Sequence, residues 1–463
     1  MNSGFDGLNA QLITKYSTSG PRYTSYPTAP LWKDNFTEDD YAAGLNEHLS
    51  TRTSKALSLY VHFPFCENKC AYCACNSDTI DSRLKIAAFI SSLQEEVQLL
   101  IKQTNVLDGS YIEQLHIGGG SPSYMNEAEF EKFLAAISPL IEKSKLSEFS
   151  IEIDPRGLNN EKLQFYAACG IDRISFGVQD LDPRVQEAIG RVQPAELLVK
   201  ALSAKNKSYF KSINFDLIYG LPFQTGESFK ATLDAVKELR PNRIAIYNYA
   251  HMPKLKPNQM TIREEDLPSA EEKTKILVTT INSLLGGGYN YIGMDHFALP
   301  EDDLSLALEN GTLYRNFMGY TTAKARNLIG LGPTSISGFG RYYAQNVRDT
   351  ALYAQLVGDK ILPTSRGLRL SDDDLLRRDI INSLICNFYL NFAAIEKAHG
   401  ICFKDYFGPE LNSLVCFIDD GLLTVNEKSM KVSFQGRVFI RNICMVFDAY
   451  LKKDEQRQFS KTI

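Results

Sequence analysis

Short apolar runs alternate with amphipathic stretches from about residue 56 onward, and the alternation is regular enough to lay out elements. Residues 57–63, 112–117, 148–153, 171–177, 212–218, 243–247 and 289–294 are predicted strands, being brief, rich in β-branched or aromatic side chains and bounded by turn residues. Between them, apolar positions at helical spacing predict helices over 82–103, 127–141, 161–169, 184–189, 195–204, 229–239 and 270–285. Repeated strand-then-helix units predict a parallel sheet with helical crossovers, closed into a partial barrel. From about Gly338 the pattern changes to helices without regular strands, with helices over 372–387 and 392–399 and a short hairpin at 419–434 feeding a helix over 436–451. Residues 1–50 lack this organisation. Arg22-Tyr-Thr-Ser-Tyr-Pro-Thr28 is polar, aromatic and interrupted by proline, which predicts an arm strapped to the surface or closing over a site. The chain therefore divides into an arm (1–50), an α/β barrel (51–345) and a mostly helical, winged-helix-like unit (346–463).

In such a barrel, the carboxyl ends of the strands converge on the site. Glu152 and Asp154 share a strand face by their spacing of two. Gln179, Asp216, Asn248 and Ala250 fall at equivalent strand ends, so successive units contribute to one place. His62 shares its strand face with Tyr60, while His251 and the Asp295-His296 pair carry no readable role.

The densest chemistry follows the first strand, in Tyr60-Val-His-Phe-Pro-Phe-Cys-Glu-Asn-Lys-Cys-Ala-Tyr-Cys-Ala-Cys75. Cysteines 66, 70 and 73 have the spacing C-x-x-x-C-x-x-C, and Cys75 follows. Three thiolates hold three irons of a [4Fe–4S] cube and leave the fourth open. A zinc site or a redox dithiol are the alternatives, although no second cysteine pair or His-x-x-x-His lies downstream to complete a zinc site. Cys75 is a fourth ligand, a neighbour or a packing residue. Cysteines 169, 386, 402, 416 and 444 lie among apolar neighbours and are expected to be buried small hydrophobes. Gly118-Gly-Gly-Ser-Pro122 exposes backbone to close approach by a ligand, without the pattern of a phosphate-binding loop.

Composition adds limits. The 463 residues are 44% hydrophobic and 23% charged, ordinary for a globular chain, and the net charge of −5 argues against a nucleic-acid partner. No signal peptide and no apolar run of membrane-spanning length is visible, so a cytoplasmic protein, expected to be monomeric, with reduced thiols is predicted.

The cysteine stretch resembles the signature of the radical S-adenosylmethionine enzymes. Its extended form resembles the oxygen-independent coproporphyrinogen III oxidases, as do Gly20-Pro-Arg-Tyr-Thr-Ser-Tyr-Pro-Thr28, Gly118-Gly-Gly-Ser-Pro122, Ile213-Asn-Phe-Asp-Leu-Ile-Tyr-Gly-Leu-Pro222 and Arg441-Asn-Ile-Cys-Met445. The resemblance implies a radical S-adenosylmethionine barrel. It also implies a [4Fe–4S] cluster on Cys66, Cys70 and Cys73, and two S-adenosylmethionine molecules. Tyr60, Gly119, Glu152 and Ile336 match positions lining the first molecule. Tyr72, Gly120, Ser121, Gln179, Arg191, Asp216 and Ala250 match positions lining the second, with Ser121 where the family commonly has threonine. The implied reaction converts two propionates of coproporphyrinogen III to vinyl groups, each losing hydrogen, CO2 and one electron. It needs an electron donor for the cluster and an external acceptor. His62 near the cluster and Arg22 toward a substrate carboxylate are the candidate catalytic residues. Relatives that serve as haem chaperones generally lack the Arg22–Thr28 segment and the Cys75 position, and both are present here.

Overall fold

The computed structural model of the protein describes residues 10–323, 325–451, 459, 461 and 462. Its centre is a twelve-stranded sheet. In chain order the strands are β1 (Ala56–Phe63), β2 (Tyr111–Gly119), β3 (Glu148–Ile153), β4 (Arg173–Gln179), β5 (Ser212–Tyr219), β6 (Arg243–Asn248), β7 (Asn290–Gly293), β8 (His296–Ala298), β9 (Leu328–Leu331), β10 (Ile336–Phe339), β11 (Tyr342–Asn346) and β12 (Thr364–Arg369). They lie in the order β12-β11-β10-β9-β1-β2-β3-β4-β5-β6-β8-β7. The run from β9 through β1 to β6 is parallel, as the strand–helix alternation predicts.

Both flanks depart from that prediction. The expectation that strands end near Gly338 does not hold, because β10, β11 and β12 extend the sheet as antiparallel neighbours beyond β9. On the other side, the predicted strand at 289–294 does not pair with β6. Met294, with φ of +48°, helps turn the chain back, and the reversed β8 inserts between β6 and β7.

Strict alternation along β3, β4 and β5 sorts the side chains. Phe149, Ile151, Ile153, Ile174, Phe176, Val178, Ile213, Phe215 and Leu217 face outward into the main hydrophobic core beneath the helices. The alternate positions, Glu148, Ser150, Glu152, Arg173, Ser175, Asn214 and Asp216, face a cavity inside the curved sheet. Barrels of this kind are ordinarily filled by branched aliphatic residues. Here the interior is polar and open.

The helix Leu84–Gln103 places Ile86, Phe89, Leu93, Val97 and Leu100 against the sheet. Glu96 shares that face, where Asn346 Nδ2 (2.6 Å), Gly332 N–H (2.8 Å) and Tyr353 OH (2.7 Å) donate to its carboxylate. The C-terminal unit contains the expected helices Asp372–Asn387 and Phe392–His399 and the hairpin of Leu423–Val425 with Ser429–Val432, which Tyr389–Asn391 widens to three strands. The last predicted helix is shorter, a 3₁₀ turn at Gln435–Phe439 running into Ile440–Met445.

The arm is a strap between these parts. Tyr16 stacks on Phe417 at 4.8 Å, and Tyr23 OH donates to Asp448 at 2.9 Å. Buried Arg441 donates to the carbonyls of Gly20, Pro21 (2.9 Å), Lys461 (3.0 Å) and Thr462 (3.2 Å). The arm also holds a helix that its composition did not announce, Glu38–Thr51, started by a capping box of Thr37 and Asp40.

Candidate functional site

A cavity of about 540 Å³ occupies the inside of the sheet. The cysteine loop closes one end, and Arg173 and Arg243, at the amino ends of β4 and β5's neighbour β6, line the other. Cys66, Cys70, Cys73, Tyr72, Gly119, Gly120, Ser121, Glu152, Gln179, Arg191, Asp216 and Ala250 all line it. Tyr60, His62, Ile336 and Arg22 do not. Ile336 packs against the separate cluster of Trp32, Tyr343 and Leu370. Arg22 lies behind the wall, paired with Asp295 and 5.6 Å from the ring of Tyr247, a wall residue. The carboxylate it meets is thus the chain's own.

The cysteine loop leaves β1 through residues 63–65 and is pinned on several sides. Gly120 N–H donates to Phe63 O and Ser121 N–H to Phe65 O, both at 2.7 Å. The glycines allow this approach: a Cβ on Gly120 would lie 2.3 Å from Phe65 O, and one on Gly118 would lie 2.8 Å from the Glu152 carboxyl. Gly119 additionally has φ of +112°, a conformation that favours glycine. Asp78 N–H and Ile80 N–H return to the carbonyls of Pro64 and Cys66. His62 Nε2 lies 2.8 Å from Asn76 O and its Nδ1 lies 3.1 Å from Tyr60 OH. Since a carbonyl only accepts, Nε2 carries the proton and Nδ1 accepts from Tyr60. Burial holds His62 below the ordinary histidine range, hence neutral. Tyr60 in turn stacks on His116 at 5.7 Å.

Glu152 sits at the centre of the wall. Burial pushes its carboxyl upward, but His116 Nε2 (3.3 Å) and Gly119 N–H (3.1 Å) outweigh that and hold it below the usual range. Asp216 is the opposite case. Burial, assisted by the charge of Glu152, pushes it up to about 6 despite hydrogen bonds from Ser175 Oγ (2.7 Å) and Asn214 Nδ2 (3.0 Å). Arg191 donates to Asp154 Oδ2 (3.0 Å) and Gly177 O (2.8 Å) and reaches Cys70 Sγ at 3.6 Å. Its Nε is buried without a protein partner. Burial pulls Arg191 down, but Tyr72, Asp154 and Cys70 hold it above the ordinary range. Arg156 pairs with the same Asp154 and lies 4.0 Å from Cys70 Sγ.

This donor set suits an iron–sulfur cube. All nine cysteines are free. Four of them, at positions 66, 70, 73 and 75, line one end of the cavity, with two guanidiniums beside Cys70 to offset anionic charge. Among the described residues no three His, Cys, Asp or Glu groups converge on a point fit for a single ion. A cube, whose irons stand apart, asks for wider spacing than zinc. The Cys75 N–H lies 3.4 Å from Cys73 Sγ, and hydrogen bonding from Cys75 draws the Cys73 thiol down to about 6. Of the other cysteines, 386 and 444 are buried as expected and 169 half-buried, but 402 and 416 are exposed.

Two groups escaped the sequence reading. The polar inner face beyond Glu152 and Asp216, including His116, Ser175 and Asn214, was announced only by alternation. Asn258 and Gln259, which hold the cysteine loop from outside, had no local signal.

A parallel half-barrel with this cysteine loop after its first strand, opening on a polar cavity, defines a radical S-adenosylmethionine protein. The profile of the radical SAM superfamily matches residues 60–236, and that of the HemN C-terminal domain matches 370–439. The oxygen-independent coproporphyrinogen III oxidase of Escherichia coli (strain K12) is 42% identical over 453 residues, covering 98% of each chain. Those of Pseudomonas aeruginosa and Helicobacter pylori are each 40% identical, over 98% of this chain and 98% and 99% of their own. The solved structure of the Escherichia coli coproporphyrinogen III oxidase HemN, described as a radical SAM enzyme, superposes with a TM-score of 0.89 over 96% of this chain and 99% of that one, at 40% identity. The chain belongs to the oxygen-independent coproporphyrinogen III oxidase family.

Proposed function

We propose that the protein converts coproporphyrinogen III to protoporphyrinogen IX without oxygen, by oxidative decarboxylation of two propionate side chains, as a step of haem biosynthesis. The observation that carries this reading is the union of near full-length likeness to enzymes of that name with a polar cavity closed by the cysteine loop. Cys66, Cys70 and Cys73 would hold the [4Fe–4S] cluster, with Cys75 beside them at the same end of the cavity. The cluster with S-adenosylmethionine supplies a 5′-deoxyadenosyl radical able to take hydrogen from an unactivated carbon.

The chain's own residues bind, orient and exclude water. Glu152, ionised, would accept from the amino group of a first S-adenosylmethionine beside Gly119, with Tyr60 supporting that wall through its stacking on His116, while Ile336 stands apart among Trp32, Tyr343 and Leu370. A second molecule lies along Tyr72, Gly120, Ser121, Gln179, Arg191, Asp216 and Ala250. There the unpartnered Nε of Arg191 is available to a carboxylate and Asp216 to ribose hydroxyls. His62 is a neutral tether of the cysteine loop. Arg22 pairs with Asp295 and braces Tyr247 of the cavity wall from behind, a supporting role. The last electron of each decarboxylation leaves to an external acceptor, and a separate donor reduces the cluster. Among the described residues no helix is long and apolar enough to cross a membrane. Free thiols and an oxygen-sensitive cluster suit the reducing cytoplasm.

The test is an anaerobic assay of iron-reconstituted protein with coproporphyrinogen III, S-adenosylmethionine, a reductant and an electron acceptor. Protoporphyrinogen and 5′-deoxyadenosine are expected. Deoxyadenosine without any vinyl product, across several acceptors, would sink the substrate assignment.

A further inference from the structure

The sequence between Ala250 and the helix Ala270–Gly286 carries no catalytic motif, yet it makes the densest set of contacts to the cysteine loop. Asn258 Nδ2 lies 3.1 Å from Cys70 O, 3.1 Å from Ala71 O and 2.9 Å from Cys73 O. The neighbouring Gln259 Nε2 lies 3.0 Å from Tyr72 O. Four successive carbonyls, from residue 70 to residue 73, therefore lie within hydrogen-bonding reach of two adjacent carboxamides, with the two N–H groups of Asn258 shared among three of them. Gln259 is fully buried, and its Oε1 accepts from Met252 N–H at 2.6 Å, so its orientation is fixed from its own side.

We infer that Asn258 and Gln259 are positioning residues that clamp the cysteine loop, fixing the separation of Cys70 and Cys73 so that the loop is shaped for a cluster before one is built. The inference rests on the cluster assignment above and not on the identity of the substrate. The loop is too short for regular structure, and its one internal backbone bond here is Cys73 N–H to Cys70 O at 3.2 Å. The carbonyls of Ala71, Tyr72 and Cys73 have no such backbone donor, and a loop with unmet acceptors samples other shapes. A carboxamide satisfies them without placing a charge beside thiolates. The remaining sides of the loop are already held by Ala71 N–H to Ile189 O and by Lys69 Nζ to Ser77 O at 2.6 Å. The clamp supplies the missing side. It also links the loop to Ala250, which lines the same cavity, so one segment sets both walls.

The experiment uses the full chain. Asn258→Asp keeps the size and removes the donors, Gln259→Glu does the same one residue on, and Asn258→Ala removes the group. Alkylation of the metal-free protein by iodoacetamide, read peptide by peptide, is expected to be about tenfold faster at Cys70 and Cys73 in each variant. Cys386 and Cys444, buried in the C-terminal unit, report global opening and are expected to stay protected. After anaerobic reconstitution, the variants are expected to retain less than about half of the wild-type iron and to lose it faster to a chelator. Unchanged alkylation at Cys70 and Cys73 with full iron retention in Asn258→Asp and Gln259→Glu would overturn the clamp. Parallel deprotection of Cys386 and Cys444 would overturn it too, because the residues would then support the fold at large. Neither readout involves a porphyrinogen, so failure of the decarboxylation assay leaves this test standing.

Discussion

Asp216→Asn is expected to stabilise the protein at pH 8 and to do nothing for it at pH 4. In the folded protein the carboxyl is raised from 3.8 to about 6, first by burial and then by the charge of Glu152. The folded state thus holds this proton more tightly than the unfolded chain does. The group's contribution to folding is fully present below pH 3.8 and is lost as pH rises through about 6. A difference of about two pKa units corresponds to roughly 3 kcal/mol at most. Water in the cavity screens part of it, leaving about 1–3 kcal/mol of native-state cost at pH 8. The amide abolishes the titration and keeps the contacts. Its oxygen accepts from Asn214 Nδ2, now 3.0 Å from Oδ1, and its NH2 faces Ser175 Oγ, now 2.7 Å from Oδ2. For a chain of 463 residues the gain is a rise of about 1–3 °C in melting temperature. Calorimetric or fluorescence melts of both proteins, cofactor-free, at half-unit steps from pH 4 to pH 8 measure it. The two curves should converge at the acid end and separate through pH 6. The same substitution is expected to weaken the S-adenosylmethionine contact proposed for Asp216, giving a more stable and less active enzyme. A shift of equal size at every pH, or a loss of stability at pH 8, would refute the reasoning.

Four further outcomes are expected. Cys66→Ala, Cys70→Ala and Cys73→Ala should each abolish turnover and the reduced-cluster EPR signal, and intact turnover in any one would remove that cysteine from the ligand set. Gly120→Ala drives a Cβ to 2.3 Å from the Phe65 carbonyl, backbone that cannot swing aside, and should cost about 1–3 kcal/mol together with iron retention. Gly157→Ala, with nothing within 4 Å and no positive φ, should be neutral or stabilising by up to about 1 kcal/mol in the same melts. Arg441→Ala leaves four carbonyls of the two chain ends without their donor and should destabilise by about 2–4 kcal/mol. Limited trypsinolysis should then cut at Lys15 and Arg22 well before the barrel is attacked, and an uncut arm would show that other contacts suffice to hold it.

The sequence made legible whatever is written locally. The cysteine loop is one contiguous string, and the outward faces of β3, β4 and β5 repeat with a period of two, so their strands and the polar positions Glu152 and Asp216 could be placed. The antiparallel flank could not. β12 reads Thr-Ser-Arg-Gly-Leu-Arg, which has no apolar face, and it becomes a strand because β11 offers it an edge. The helix Glu38–Thr51 hides for a related reason, since it has a clear cap but few apolar positions at helical spacing. Asn258 and Gln259 sit in a proline-flanked loop some way past the last parallel strand. Their meaning lies wholly in carbonyls that the fold brings to them, and nothing about an Asn-Gln pair announces this.

The inner face of the sheet carries the deeper consequence of the pattern. A barrel lined by Glu148, Ser150, Glu152, Arg173, Ser175, Asn214 and Asp216 cannot be filled by its own apolar side chains, so folding leaves it hollow. Its charges are unevenly distributed. At the far end Arg173 pairs with Glu148 (3.1 Å) and Asp303 (2.6 Å), and Arg243 pairs with Asp302 (2.9 Å), which closes that end electrostatically. Near the cysteines, Glu152 is held ionised, Asp216 is poised near neutrality and Arg191 keeps one donor free. Unmet polar capacity remains along the whole cavity, at Arg243 Nη2, Asn248 Oδ1 and His296 Nδ1 and, at the thiol end, at Arg191 Nε. A ligand with an ammonium, a carboxylate and hydroxyls satisfies that end, and an amino-acid-bearing nucleoside has all three.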